Sequence, residues 1–115
     1  MRFIILMSAS DDEWNALTPD EQAAVVARHE AFGDALRSDD RYVDSYRFAP
    51  VAEARSVTRD REGGFSVTPG PATNPSAAMG GMYIIEAESM DEAVDWAQRV
   101  RFIAGTNEVR AVWGE

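Results

Sequence analysis

Phe3-Ile4-Ile5-Leu6-Met7 is apolar at every position, the pattern of a strand covered on both faces rather than one. It predicts a central strand. Thr18-Pro19-Asp20-Glu21 then supplies a hydroxyl N-cap, a proline at the first helical position and a glutamate placed to complete a capping box. The helix that follows carries Val25, His29, Phe32 and Leu36 on one face and Asp20, Arg28, Asp34 and Arg37 on the wet side, and should end near Ser38. Asp11-Asp12-Glu13 and Asp39-Asp40 read as solvated loop carboxylates at the helix flanks. Tyr42 to Phe48 predicts a second strand, with Tyr42, Asp44, Tyr46 and Phe48 on one face and Val43, Ser45 and Arg47 on the other; Pro50 closes it. Ala54–Arg59 and Gly64–Thr68, joined by Asp60-Arg61-Glu62-Gly63, read as a hairpin.

Pro69, Gly70, Pro71 and Pro75 predict a loop running to Gly80 and Gly81, because proline joins neither helix nor ladder. A connection of that length is expected to border a ligand pocket and to move more than the strands it joins. Met82-Tyr83-Ile84-Ile85 repeats the fully apolar pattern of a central strand. Ser89-Met90-Asp91-Glu92 opens a second helix whose inner stripe is Ala93, Trp96, Ala97 and Val100. Gly105 ends the connection after it, and Glu108 to Trp113 alternates as a half-exposed last strand.

This order is the α+β, ferredoxin-like βαββαβ arrangement with an inserted hairpin: an antiparallel sheet covered by two helices on one face. In it the first and third principal strands lie side by side at the centre, and those are the two most apolar segments. Two helices leave the other sheet face uncovered, and a contiguous apolar face is rarely left wet. A homodimer pairing sheet against sheet is therefore expected.

The 115 residues read as a single domain. Eleven basic residues, all Arg, stand against 20 Asp and Glu, a net charge of −9 that repels nucleic acid and anionic membranes. No apolar run is long enough for a signal peptide or a membrane span, so a cytoplasmic location is expected. The absence of Cys and Lys excludes thiolate nucleophiles, Cys-ligated metals and Schiff-base lysines, and a single histidine excludes a multi-histidine metal site. No dinucleotide, Walker or nucleophile-elbow motif occurs, so neither a cofactor nor a metal is expected.

His29 is then the one side chain whose unperturbed pKa suits proton transfer near neutrality, as a general base, although its place on an apolar stripe equally fits a packed histidine. Tyr42, Tyr46, Tyr83 and Phe48 could line a pocket for a small aromatic ligand, or could be ordinary core. Arg47 could clamp a carboxylate or protect a sheet edge. The candidate ligand set is thus Tyr46, Arg47 and Tyr83 with Pro69, Gly70 and Pro71 of the proline loop, around His29.

Met1-Arg2-Phe3-Ile4-Ile5-Leu6-Met7, Arg28-His29-Glu30-Ala31-Phe32, Ser66-Val67-Thr68-Pro69-Gly70-Pro71, Gly80-Gly81-Met82-Tyr83-Ile84-Ile85, Asp91-Glu92-Ala93-Val94-Asp95-Trp96-Ala97 and Glu108-Val109-Arg110 together resemble the YCII-related family, in its Asp-Gly-Pro-Phe branch. The resemblance implies a dimeric ferredoxin-like α+β barrel. Some such proteins are lyases that remove chloride from chlorinated hydroquinones, and some are linked to sigma factors. The branch motif is degenerate, with Pro69 in place of its Asp and Ala72 in place of its Phe. A histidine–aspartate pair is the suggested active site of the YCII branch; His29 matches the histidine, while Ala97-Gln98-Arg99-Val100-Arg101 lacks the aspartate. Two functions follow: a lyase, isomerase or cyclase without a cofactor, acting on an aromatic or enolisable molecule with His29 as base, or a non-catalytic dimeric module binding a ligand or protein.

Overall fold

In the computed structural model, which describes residues 1–114, the elements run β1 (Arg2–Ser8), α1 (Asp11–Ala16), α2 (Pro19–Ser38), β2 (Tyr42–Arg47), β3 (Arg55–Arg59), β4 (Phe65–Pro69), β5 (Met79–Glu86), α3 (Met90–Gln98) and β6 (Asn107–Ala111). Short 3-10 turns stand at Val51–Glu53 and Pro75–Ala77. The main sheet has the order β2-β5-β1-β6 with every neighbouring pair antiparallel, the ferredoxin-like topology, and β3-β4 forms a separate hairpin. β1 and β5 are central, as their unbroken apolar runs require.

Alternation along those two strands divides the sheet. Phe3 and Ile5 of β1 and Tyr83 and Ile85 of β5 point to the helices and are buried with Phe32 and Leu36 of α2 and Ala93, Trp96, Ala97 and Val100 of α3. Phe3, Ile5, Leu36, Ile85 and Val100 are the largest fully buried side chains; each contributes about 1.5–3 kcal/mol of transfer free energy. On the opposite face Ile4 pairs with Ile84 and Leu6 with Met82, all four half-buried with no helix over them.

Helix starts follow the local chemistry. Thr18 Oγ1 accepts from the Glu21 amide while the Glu21 carboxylate accepts from the Thr18 amide, the complete capping box. Ser89 caps α3 in the same manner through the Glu92 amide.

Four expectations change. Asp11, Asp12 and Glu13 are not loop residues but the first turn of α1, capped by Ser10, where carboxylates suit the positive helix end. Asp11 is not merely solvated either: its two carboxylate oxygens accept from the Val51 and Ala52 amides at 3.0 and 3.1 Å. The proline loop is shorter than expected, since Pro69 closes β4 opposite Arg55 and β5 begins at Met79. Gly81 lets β5 extend that far: a Cβ there would lie 2.7 Å from the Tyr46 carbonyl oxygen on β2. Finally, β6 stops at Ala111 rather than Trp113: the Val112 amide still donates to the Arg2 carbonyl at 2.9 Å, but β1 itself begins at Arg2. Trp113 is fully exposed.

The hairpin is a two-stranded sheet of its own, not hydrogen-bonded to the main one. Val57 and Val67 oppose each other on one side of it, beside Phe65 and Arg59, and all three apolar side chains are at least 64% exposed. The radius of gyration is 16.0 Å, against about 13 Å for a compact chain of this size.

Candidate functional site

A cleft of about 960 Å³ opens between α2 and the inner face of β2 and β5, closed at one end by α1 and at another by residues 101–103. His29 lines it from the middle of α2, half-buried, one turn before Phe32, which is committed to the core. Its Nδ1 stands 2.8 Å from the hydroxyl oxygen of Tyr83, a β5 residue whose ring is buried and whose tip reaches the cleft. The two rings are nearly parallel, 8° apart with centroids at 6.0 Å, and Phe102 meets the imidazole edge-on at 5.0 Å. The imidazole is thus held in orientation from two sides.

Either tautomer permits the bond to Tyr83. With Nδ1–H donating to the phenol oxygen, Nε2 keeps a lone pair free to take a proton. Burial, and then the positive charges of Arg47 and Arg101, hold the His29 pKa below its ordinary value, so the neutral base is the form present at pH 7. Burial pushes the Tyr83 phenol up to about 12, Tyr42 adding to the rise and Arg37 opposing it, so Tyr83 stays protonated and can donate or accept.

β2 contributes through a bulge. Tyr42 pairs with Ile85 and Asp44 with Ile84, so the alternation slips by one residue at Val43. Tyr42, Ser45 and Arg47 therefore share the inner face, where Tyr42 Oη and Ser45 Oγ are 2.7 Å apart, while Asp44 and Tyr46 lie on the outer face. The expected grouping of Tyr42 with Asp44 and Tyr46 fails at that bulge. Tyr46 borders the cleft, but its hydroxyl donates to Asp44 Oδ2 at 2.7 Å and its side chain is directed away from His29. That bond, followed by one from the Ser45 amide, holds the Asp44 carboxyl below its usual range.

The guanidinium of Arg47 lies 4.7 Å from the ring centroid of Trp14, on α1. Asp11 fixes α1 against the chain after β2, and Gln22 of α2 donates to the Trp14 carbonyl at 3.0 Å, so Trp14 is a held wall of the cleft. Arg101 lines the opposite side. It donates to the carbonyl oxygens of Ile103, Ser8, Thr106 and Ala104 and to Asn107 Oδ1, fastening the segment after α3 to the end of β1.

Of the residues expected at a site, the structure brings His29, Tyr83 and Arg47 together and leaves Tyr46 at the rim. Pro69 and Gly70 line neither cavity, since Pro69 completes β4 and the Gly70 amide donates to the Ala54 carbonyl. Pro71 lines a smaller, separate cleft of about 360 Å³ with Phe48, Val51 and Met79. Trp14, Arg101 and Phe102 were not singled out from sequence. Ser10-Asp11-Asp12-Glu13 does carry the capping-box spacing that would have placed Trp14 on a helix. Nothing local marks Arg101 or Phe102.

Among the described residues, no group of three or more His, Asp or Glu side chains is placed to hold a metal ion, and no helix is long and apolar enough to cross a membrane.

The YCII-related domain matches residues 1–114. The chain belongs to this family. In this YCII-related protein the partner of the histidine is the phenol of Tyr83, in a chain that lacks the aspartate of the pair suggested for the branch. Among curated proteins, none is similar enough in sequence to match the chain. Among solved structures, the YCII-related chain is similar in fold to 5-chloro-2-hydroxyhydroquinone dehydrochlorinase (TftG) from Burkholderia phenoliruptrix AC1100, in complex with 2,5-dihydroxybenzoquinone. The TM-score is 0.52 at 17% identity, over 97% of this chain and 93% of that one.

Proposed function

We propose that this YCII-related protein binds a small aromatic or enolisable molecule in the cleft, and that His29 acts there as general base in an elimination, isomerisation or cyclisation. The observation that carries the reading is the neutral, oriented imidazole of His29, bonded to Tyr83 at the side of a cavity large enough for a ring compound. The fold likeness to a dehydrochlorinase seen with a dihydroxybenzoquinone supports the substrate class. Hydroxylated and halogenated hydroquinones are the first compounds to test. His29→Gln should keep the fold and reduce turnover by roughly two to four orders of magnitude. A folded His29→Gln variant that turns over such a substrate as fast as the parent would overturn the catalytic role.

The second reading, a non-catalytic dimeric module that binds a ligand or a regulatory protein such as a sigma factor, is favoured by one observation. A phenol is a weaker orienting acceptor than a carboxylate, and the two nearby arginines weaken the base further. Both readings include a homodimer. The half-buried Ile4, Leu6, Met82 and Ile84 on the helix-free face and the exposed Val57, Phe65 and Val67 of the hairpin support it.

A further inference from the structure

The chain carries a net charge of −9, yet Arg47 and Arg101 both line the cleft that holds His29. Among the described residues no carboxylate lies within ion-pair distance of Arg47, whose guanidinium rests on the Trp14 ring and keeps donors free. Arg101 spends its donors on five neutral oxygens, which hold the cation in place without neutralising it. Of the acidic residues that border the cleft, Asp11 is engaged by two backbone amides, Asp34 pairs with Arg37 at 3.4 Å, and the exposed Glu13 is the carboxylate whose charge reaches Arg101 rather than an ion-pair partner of Arg47. Arg47, exposed at the cleft and without a carboxylate partner among the described residues, can receive an anionic ligand bidentately.

Resting on the reading that this cleft is the ligand site, we propose that it takes a planar organic anion, an aromatic carboxylate or phenolate. The charged oxygen is received by Arg47, the ring lies beside the indole of Trp14, and the reacting carbon faces His29. Arg47 is then the residue that determines specificity, and Arg101 supplies a fixed field rather than a direct contact. A guanidinium on an aromatic face presents its in-plane N–H groups sideways, the direction from which a flat oxyanion can be met in one plane.

Titration of the isotope-labelled protein with benzoate, its neutral isostere benzamide and 4-nitrophenolate, read at the His29 ring and Trp14 indole signals, tests this. Benzoate or 4-nitrophenolate should bind about 10-fold or more tightly than benzamide, the range for a hydrogen bond to a charged group. Which of the two binds tighter distinguishes carboxylate from phenolate. Arg47→Gln should remove the preference, whereas Arg59→Gln, on the distant hairpin, should leave it intact. Binding of benzamide as tight as that of both anions, or a preference that survives Arg47→Gln, overturns the proposal while the cleft remains a ligand site. Failure of all three compounds to move the His29 signals overturns both.

Discussion

At the scale of single residues, His29 links the site to the stability of the fold. Its pKa in the folded chain is depressed below the ordinary 6.5. Below that pH the unfolded chain binds a proton that the folded chain refuses, so the unfolded state gains and stability declines as pH falls toward the folded value. Glu21, Asp44 and Glu86, whose carboxyls are also lowered by hydrogen bonds, act in the same direction but in the more acidic carboxylate range. Urea unfolding at pH 7.5 and 5.5 should therefore show a loss for the parent that His29→Gln largely abolishes. An unchanged slope in the variant would mean that the imidazole is not the group responsible. Tyr83→Phe keeps the buried ring, so it should cost about 1 kcal/mol in the same measurement, the net value of one hydrogen bond. His29 was legible as a candidate because elimination leaves so few proton carriers in a chain without Cys or Lys. Tyr83 was visible only as an aromatic on an apolar strand, and its bond to His29 joins positions 54 residues apart, which no local pattern encodes.

Among the elements, α1 shows how a short segment can shape a cavity wall. Six residues are too few to form a helix unaided; α1 persists through the Ser10 cap and the Asp11 carboxylate bridging to Val51 and Ala52. Asp11→Ala should lower stability by about 1–2 kcal/mol and speed amide exchange at Val51 and Ala52 above the rest of the chain. Unaltered exchange at those two amides would deny the bridge its role. The longer helices were readable because their starts are written in adjacent residues, Thr18 to Glu21 and Ser89 to Glu92. The faces of β2 were not readable, since a bulge at Val43 is set by pairing with β5, and one slipped residue moves Asp44 and Tyr46 to the other side. The start of β5 was hidden for a similar reason, as Gly80 and Gly81 resemble loop residues until the close approach of β2 is seen.

The whole molecule is flat and extended, 48 × 42 × 18 Å, with a hairpin whose apolar side is largely exposed. A two-stranded hairpin is marginal alone, so the proposed homodimer should bury this side or the helix-free sheet face and more than about 1,000 Å² in all. Sedimentation equilibrium at micromolar concentration should give twice the chain mass of 12.7 kDa, and a stable folded monomer would contradict the pairing. The order of strands also fixes a timetable. β1 lies at the centre of the sheet, but its two neighbours are β5 and β6, so residues 9–78 must be made before either side of it can close. At about 5–20 residues per second on the ribosome, Phe3 and Ile5 wait several seconds in water with no ladder to join. During translation β1, a central strand of the finished sheet, is thus the strand that waits longest for its partners.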